Sequence, residues 1–201
     1  MILSRRIAWL LGRWVAKVTD ETRPVVYQIL LRLMEDSDLV IQLTAAEGLA
    51  EVIDDLNFNI DPFAEYVPRC IAQLFQLMSK VNETSTKMKL INYLGVVIEQ
   101  SHSKVFPFAG QILAQLTQLW SNVAQEEQGM MRSTIIRSIE KLVSVLEHRA
   151  GDYYDILFPL IKVSTDVHQH EAIYTLEDGM SVWLSVCKYR RILVTFRLFF
   201  A

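Results

Sequence analysis

Four prolines, Pro24, Pro68, Pro107 and Pro159, stand near the starts of apolar stretches, 44, 39 and 52 residues apart. Proline suits the first turn of a helix, where its missing N–H has no intrahelical partner to lose. A period of roughly 40–47 residues belongs to HEAT and armadillo repeats, each a pair of antiparallel helices. Two intervals fall in or near that range. The third predicts a longer loop or a displaced proline in its unit.

The residues after each proline recur at helical spacing. Val26, Ile29, Leu30 and Leu33 form one stripe, and Ile71, Leu74, Phe75 and Met78 the next. Ile112, Leu113, Leu116, Leu119 and Trp120 form a third. The i, i+3, i+4, i+7 pattern marks amphipathic helices. A second helix follows each first one. Asp36-Ser37-Asp38 makes a capping turn before a helix over about 39–53, and others are expected over about 86–100, 130–148 and 172–186. The segment Ser4 to Val18 reads as a second helix lacking its first, so the chain is expected to begin within a repeat. The fold class is all-α, an α-solenoid of HEAT/armadillo type. Residues 1–186 form about four helix pairs plus a leading helix, and 187–201 a divergent apolar and basic tail. Within that tail only 192–196 looks strand-like.

A helix pair of this length cannot bury its apolar face alone, so neighbours must stack and terminal units need polar outer faces. Neither end shows such a face. The expectation is a piece or shortened form of a longer solenoid; the alternative is a small protein that dimerises through its ends. Composition agrees with long helices: half the residues are hydrophobic, with only 7 glycines and 5 prolines. Net charge is −3, but Lys188, Arg190, Arg191 and Arg197 supply four of the 20 basic residues, leaving the preceding body acidic. An acidic body is a poor nucleic-acid binder, since phosphate contacts need clustered Lys and Arg. Two cysteines, Cys70 and Cys187, predict no disulfide framework, and Cys70 reads as a small apolar core residue. No apolar run approaches a membrane span, and no signal peptide is evident, so a soluble intracellular protein is expected.

No phosphate loop, paired-cysteine metal signature or nucleophile motif is present, so no enzyme, cofactor or metal is expected. Asp36-Ser37-Asp38 lacks the Gly and terminal Glu of a calcium loop. His168 and His170 read as a solvated loop, and His102 and His148 as helix ends. Asp54-Asp55 reads as a helix C-terminus and its loop. Trp9, Trp14, Trp120 and Trp183 are expected in the core. Polar stripes remain on the second helices: Thr44, Glu47, Gly48 and Glu51; Lys89 and Asn92, with Glu99; and Arg137, Lys141, Ser144 and His148. In solenoids one set of helices lines a concave, commonly binding surface. Glu47, Glu51, Lys89, Asn92, Arg137 and Lys141 are therefore the candidate partner contacts, against the plainer reading of a solvated face.

The stretch Arg5-Arg6-Ile7-Ala8-Trp9-Leu10-Leu11-Gly12-Arg13-Trp14 resembles a segment in the middle of importin-β (karyopherin-β) type nuclear transport receptors. Thr44-Ala45-Ala46, Val52-Ile53-Asp54-Asp55-Leu56-Asn57-Phe58, Leu74-Phe75-Gln76-Leu77 and Leu176-Glu177-Asp178-Gly179 resemble it in the same order. The resemblance covers about residues 4–186. It implies a HEAT solenoid that wraps protein cargo, moves between nucleus and cytoplasm, touches the phenylalanine-glycine repeats of the pore and answers to Ran-GTP. The family's main Ran site lies in N-terminal repeats that nothing here matches, so weak or no Ran binding is expected. The alternative function is a HEAT scaffold organising a phosphatase- or kinase-type assembly.

Overall fold

A computed structural model describes residues 2–123 and 128–189 of the chain. Every regular element among them is helical. The α-helices are α1 (Ile2–Arg13), α2 (Arg23–Leu33), α3 (Leu39–Ile53), α4 (Val67–Lys80), α5 (Thr84–Ser101), α6 (Ala109–Ser121), α7 (Gln128–Leu146), α8 (Tyr154–Ser164) and α9 (Ala172–Tyr189). The chain is all-α, and its helices pair in the manner of an α-solenoid. The strand-like stretch 192–196 lies outside the described residues.

The repeat is more regular than its prolines suggest. First helices begin at Arg23, Val67, Ala109 and Tyr154, intervals of 44, 42 and 45 residues. Pro24 and Pro68 occupy the first turns of α2 and α4. Pro159 does not start its helix: it sits inside α8, which begins five residues earlier. The 52-residue interval is thus a displaced proline, not a long loop. The last two repeats also share a connector. Seven-residue 3-10 segments, His102–Phe108 and Glu147–Tyr153, follow α5 and α7, and each opens on a residue of positive φ, 45° and 52°. That conformation stops an α-helix, because it breaks the run of right-handed dihedrals.

The chain divides at Phe108 and Ala109 into two compact units. In the first, α1, α3 and α5 lie side by side, with α2 packed on α3 and α4 on α5. Asp38 caps α3 by accepting from Val40 N at 2.8 Å, and Asp36 Oδ1 accepts from Asp38 N at 2.9 Å. The α2 stripe is turned from the expected one: Tyr27 and Leu31 are buried with Val26 and Leu30, while Ile29 is exposed. The turn follows from the loop after α3. Phe58 and Phe63 fold back onto Tyr27, with the Phe63 ring edge-on at 4.9 Å, and draw that flank of α2 inward. Gln73 and Glu35 tie α4 to α2, Gln73 Nε2 donating to Leu31 O at 3.1 Å and to Glu35 Oε1 at 2.6 Å.

In the second unit α6 packs on α7, and α7 and α8 on α9. The α7–α9 seam is polar at intervals. Arg132 pairs with Glu171 at 2.9 Å, Ser133 donates to Asp178 at 2.5 Å, and Ser185 donates to Glu140 at 2.8 Å. Gly179 meets Ser164 of α8 so closely that a Cβ would lie 2.4 Å from Ser164 Oγ.

Cys70 is buried on α4, and burial pushes its thiol up to about 12. Cys187 is exposed on α9. A thiol of that pKa holds on the order of one thiolate in 10⁴ molecules at pH 8, and the thiolate is the nucleophile. Timed alkylation of the native chain at pH 8 is therefore expected to label Cys187 rapidly and Cys70 only after denaturant is added. Rapid labelling of both would mean that the α4 core opens freely.

Candidate protein-binding face

The side chains that α1, α3 and α5 leave uncovered are set by how closely the three helices approach. Ala8 and Gly12 of α1 face Gly48 of α3, and a Cβ on Gly48 would stand 2.8 Å from the Ala8 carbonyl oxygen. Gly48 is therefore packed under α1 and does not belong to the solvent-facing stripe in which sequence placed it. Trp9 and Trp14, expected in the core, are 52% and 63% exposed. Only Ala8 and Gly12 of α1 are buried, because small residues make the crossing and leave the large ones outside it. Trp120 is half-buried, with the Arg132 guanidinium 4.9 Å from its ring centre.

Thr44 and Glu47 form a ridge on α3 between two depressions. On one side lie Ile2, Arg5, Arg6 and Trp9 of α1. On the other, Thr86, Lys89 and Tyr93 of α5 meet Val40 and Leu43 of α3. The structure thus brings Glu47 and Lys89 to one depression, and Asn92 is exposed on the same helix as Lys89. Glu51 is half-buried and pairs with Arg13 at 3.5 Å. Burial raises the Glu51 pKa and neighbouring Glu47 adds to the rise, while Arg13 opposes it. Burial, together with Glu47 and Glu51, pushes Tyr93 up to about 12. Arg5, Arg6 and Trp9 escaped the sequence selection, which took its candidates from polar stripes on α3, α5 and α7.

Arg137 and Lys141 lie one turn apart on α7 in the second unit, Arg137 exposed and Lys141 half-buried. Ser144 of their stripe is instead engaged, donating to Glu140 at 2.8 Å. Asp55 of the acidic pair has a structural partner that sequence did not suggest: it binds the buried Arg23 of α2. His168 and His170 are exposed in the α8–α9 loop. Among the described residues no group of three or more His, Cys, Asp or Glu is placed to hold a metal, and no helix is long and apolar enough to cross a membrane.

Importin-11 of Homo sapiens is 36% identical over 183 residues, covering 90% of this chain and 19% of that protein. The chain is thus similar, over most of its own length, to a protein of the importin-β family. A family model described as importin-11-like TPR repeats matches residues 133–191. Two fungal members are more distant. The importin beta-like protein KAP120 of Saccharomyces cerevisiae is 24% identical over 187 residues, covering 90% of this chain and 18% of its own. The importin beta-like protein kap113 of Schizosaccharomyces pombe is 22% identical over 193 residues, covering 94% of this chain and 19% of its own. The chain thus spans about a fifth of the length of these relatives. No solved structure matches it. Although the family model speaks of TPR units, helix starts 42–45 residues apart fit HEAT repeats better than the roughly 34-residue TPR period.

Proposed function

We propose that this chain is a cargo-contacting segment of a nuclear transport receptor working between cytoplasm and nucleus, and that it binds protein partners without catalysing a reaction. The observation that carries the reading is the 36% identity to importin-11 across 183 residues, 90% of this chain. The contacts in this reading lie on the second helices, taken unit by unit: Glu47, Glu51, Lys89 and Asn92 in the first unit and, separately, Arg137 and Lys141 in the second. The phenylalanine-glycine repeats of the pore are assigned to the groove between α2 and α4, where Val25 and Ile29 are exposed beside Tyr66. No Ran contact is assigned to this segment.

The test is photo-crosslinking with the full chain. A photoreactive side chain replaces Glu47, Asn92 or Arg137, and, as a control, exposed Gln76 on α4. In cytosol, adducts are expected at the first three positions and not at Gln76, with proteins that accumulate in nuclei. Equal labelling at all four positions, or adducts only with proteins that stay in the cytoplasm, would overturn the assignment.

A further inference from the structure

The first unit carries a charge order that its helices impose. Arg5 and Arg6 project from α1, Glu47 from α3 and Lys89 from α5, so the face reads positive, negative, positive from helix to helix. Arg5, Arg6 and Glu47 are all exposed and form no salt bridge or hydrogen bond among the described residues, which leaves their charges open to a partner. Apolar surface lies between the charges. Trp9 and Ile2 line the first depression, and Val40 and Tyr93 the second. Packed helices lie about 8–10 Å apart. A polyproline II chain rises about 3.1 Å per residue with three residues per turn, so it presents the same side every 9 Å or so. The two repeats match: a peptide crossing α1, α3 and α5 at right angles meets each helix with every third residue.

We propose that this face binds an extended segment of a protein partner whose charges run acidic, basic, acidic at every third position, with apolar residues between them. The acidic ends pair with Arg5 and Arg6 on one side and Lys89 on the other. The central cation sits on Glu47, and the intervening side chains rest against Trp9 and Tyr93. An acidic peptide alone is disfavoured because the ridge at its centre is a carboxylate. The proposal rests on the cargo-face reading above and gives that face a ligand chemistry.

The experiment uses the full chain and three fluorescent peptides of defined charge order, read by anisotropy. Glu-Leu-Pro-Lys-Leu-Pro-Glu carries the proposed order, Lys-Leu-Pro-Glu-Leu-Pro-Lys inverts it, and a third shuffles the first. The first is expected to bind at least about tenfold more tightly than the others, a difference of about 1.4 kcal/mol. Glu47→Lys should abolish that preference and favour a peptide with Glu at its centre, and Lys89→Glu should favour one ending in Lys. Both positions are exposed, so helical content checked by circular dichroism should be unchanged. Equal binding of all three peptides, or a ranking that neither substitution moves, would overturn the proposal. So would binding of anionic vesicles or RNA that Glu47→Lys strengthens while no peptide binds. Crosslinks at Glu47 and Asn92 with indifferent peptide binding would sink the charge order alone. A retained peptide ranking without those crosslinks would sink the cargo reading instead.

Discussion

Asp55→Ala is expected to destabilise the first unit by about 3–5 kcal/mol, the usual result of leaving a buried charge without its partner. Arg23 is only 4% exposed, and its guanidinium pairs with Asp55 in the loop after α3. Its other contacts are weaker: Val52 O lies 3.5 Å from Nη1, and Asp20, itself exposed, 3.5 Å from Nε. Burial works against the Arg23 charge, and the Asp55 carboxylate together with neighbouring Tyr27 offsets it, leaving the pKa raised. Removing the carboxylate therefore strands a cation that cannot shed its proton. The double substitution Arg23→Met with Asp55→Ala should recover most of the loss, since an apolar side chain has no desolvation cost to meet. Urea unfolding of the three variants separates the cases. If Asp55→Ala alone unfolds within about 1 kcal/mol of the parent, water reaches Arg23 and the pair is a surface bridge in energetic terms.

Gly48→Val is expected to lower stability by about 2–3 kcal/mol, through overpacking. The added Cβ would meet the Ala8 carbonyl oxygen at 2.8 Å, and that atom belongs to a helix backbone that cannot swing aside. Gly12 lies opposite, with its own would-be Cβ 2.7 Å from the Gly48 Cα. The α1–α3 crossing must therefore widen, and every residue on the α1 ridge moves with it. In a chain of this size a loss of 2–3 kcal/mol is a fall in Tm of roughly 4–12 °C. The functional consequence is separable from the thermal one. Widening the crossing shifts Arg5 and Arg6 relative to Glu47, so peptide affinity should fall even at temperatures where the variant is folded. An unchanged Tm in the Gly48→Val variant would mean that α1 is not held at this crossing.

Much of the architecture follows from sequence alone. Helix period, the Asp36-Ser37-Asp38 cap and the recurrence of the repeat are local properties, written within a turn or two of where they act. Helix α3 accordingly spans 39–53 as its pattern indicates. The resemblance in residues 4–186 likewise rests on the order of residues. What the chain could not show locally is which flank of each helix meets a neighbour. Val26 and Leu30 could be read as core from spacing, but Tyr27 is buried only because Phe58 and Phe63 fold onto it from a later loop. Gly48 shared a polar stripe by helical geometry, yet α1 covers it, because only glycine lets the two backbones come so close. Arg23 and Asp55 are 32 residues apart, and no short pattern joins them. The charge order across α1, α3 and α5 is of the same kind. Arg5, Glu47 and Lys89 are each ordinary exposed charges in sequence. They become a sequence of charges in space only when three second helices lie side by side, and that spacing is decided by the small residues packed between α1 and α3.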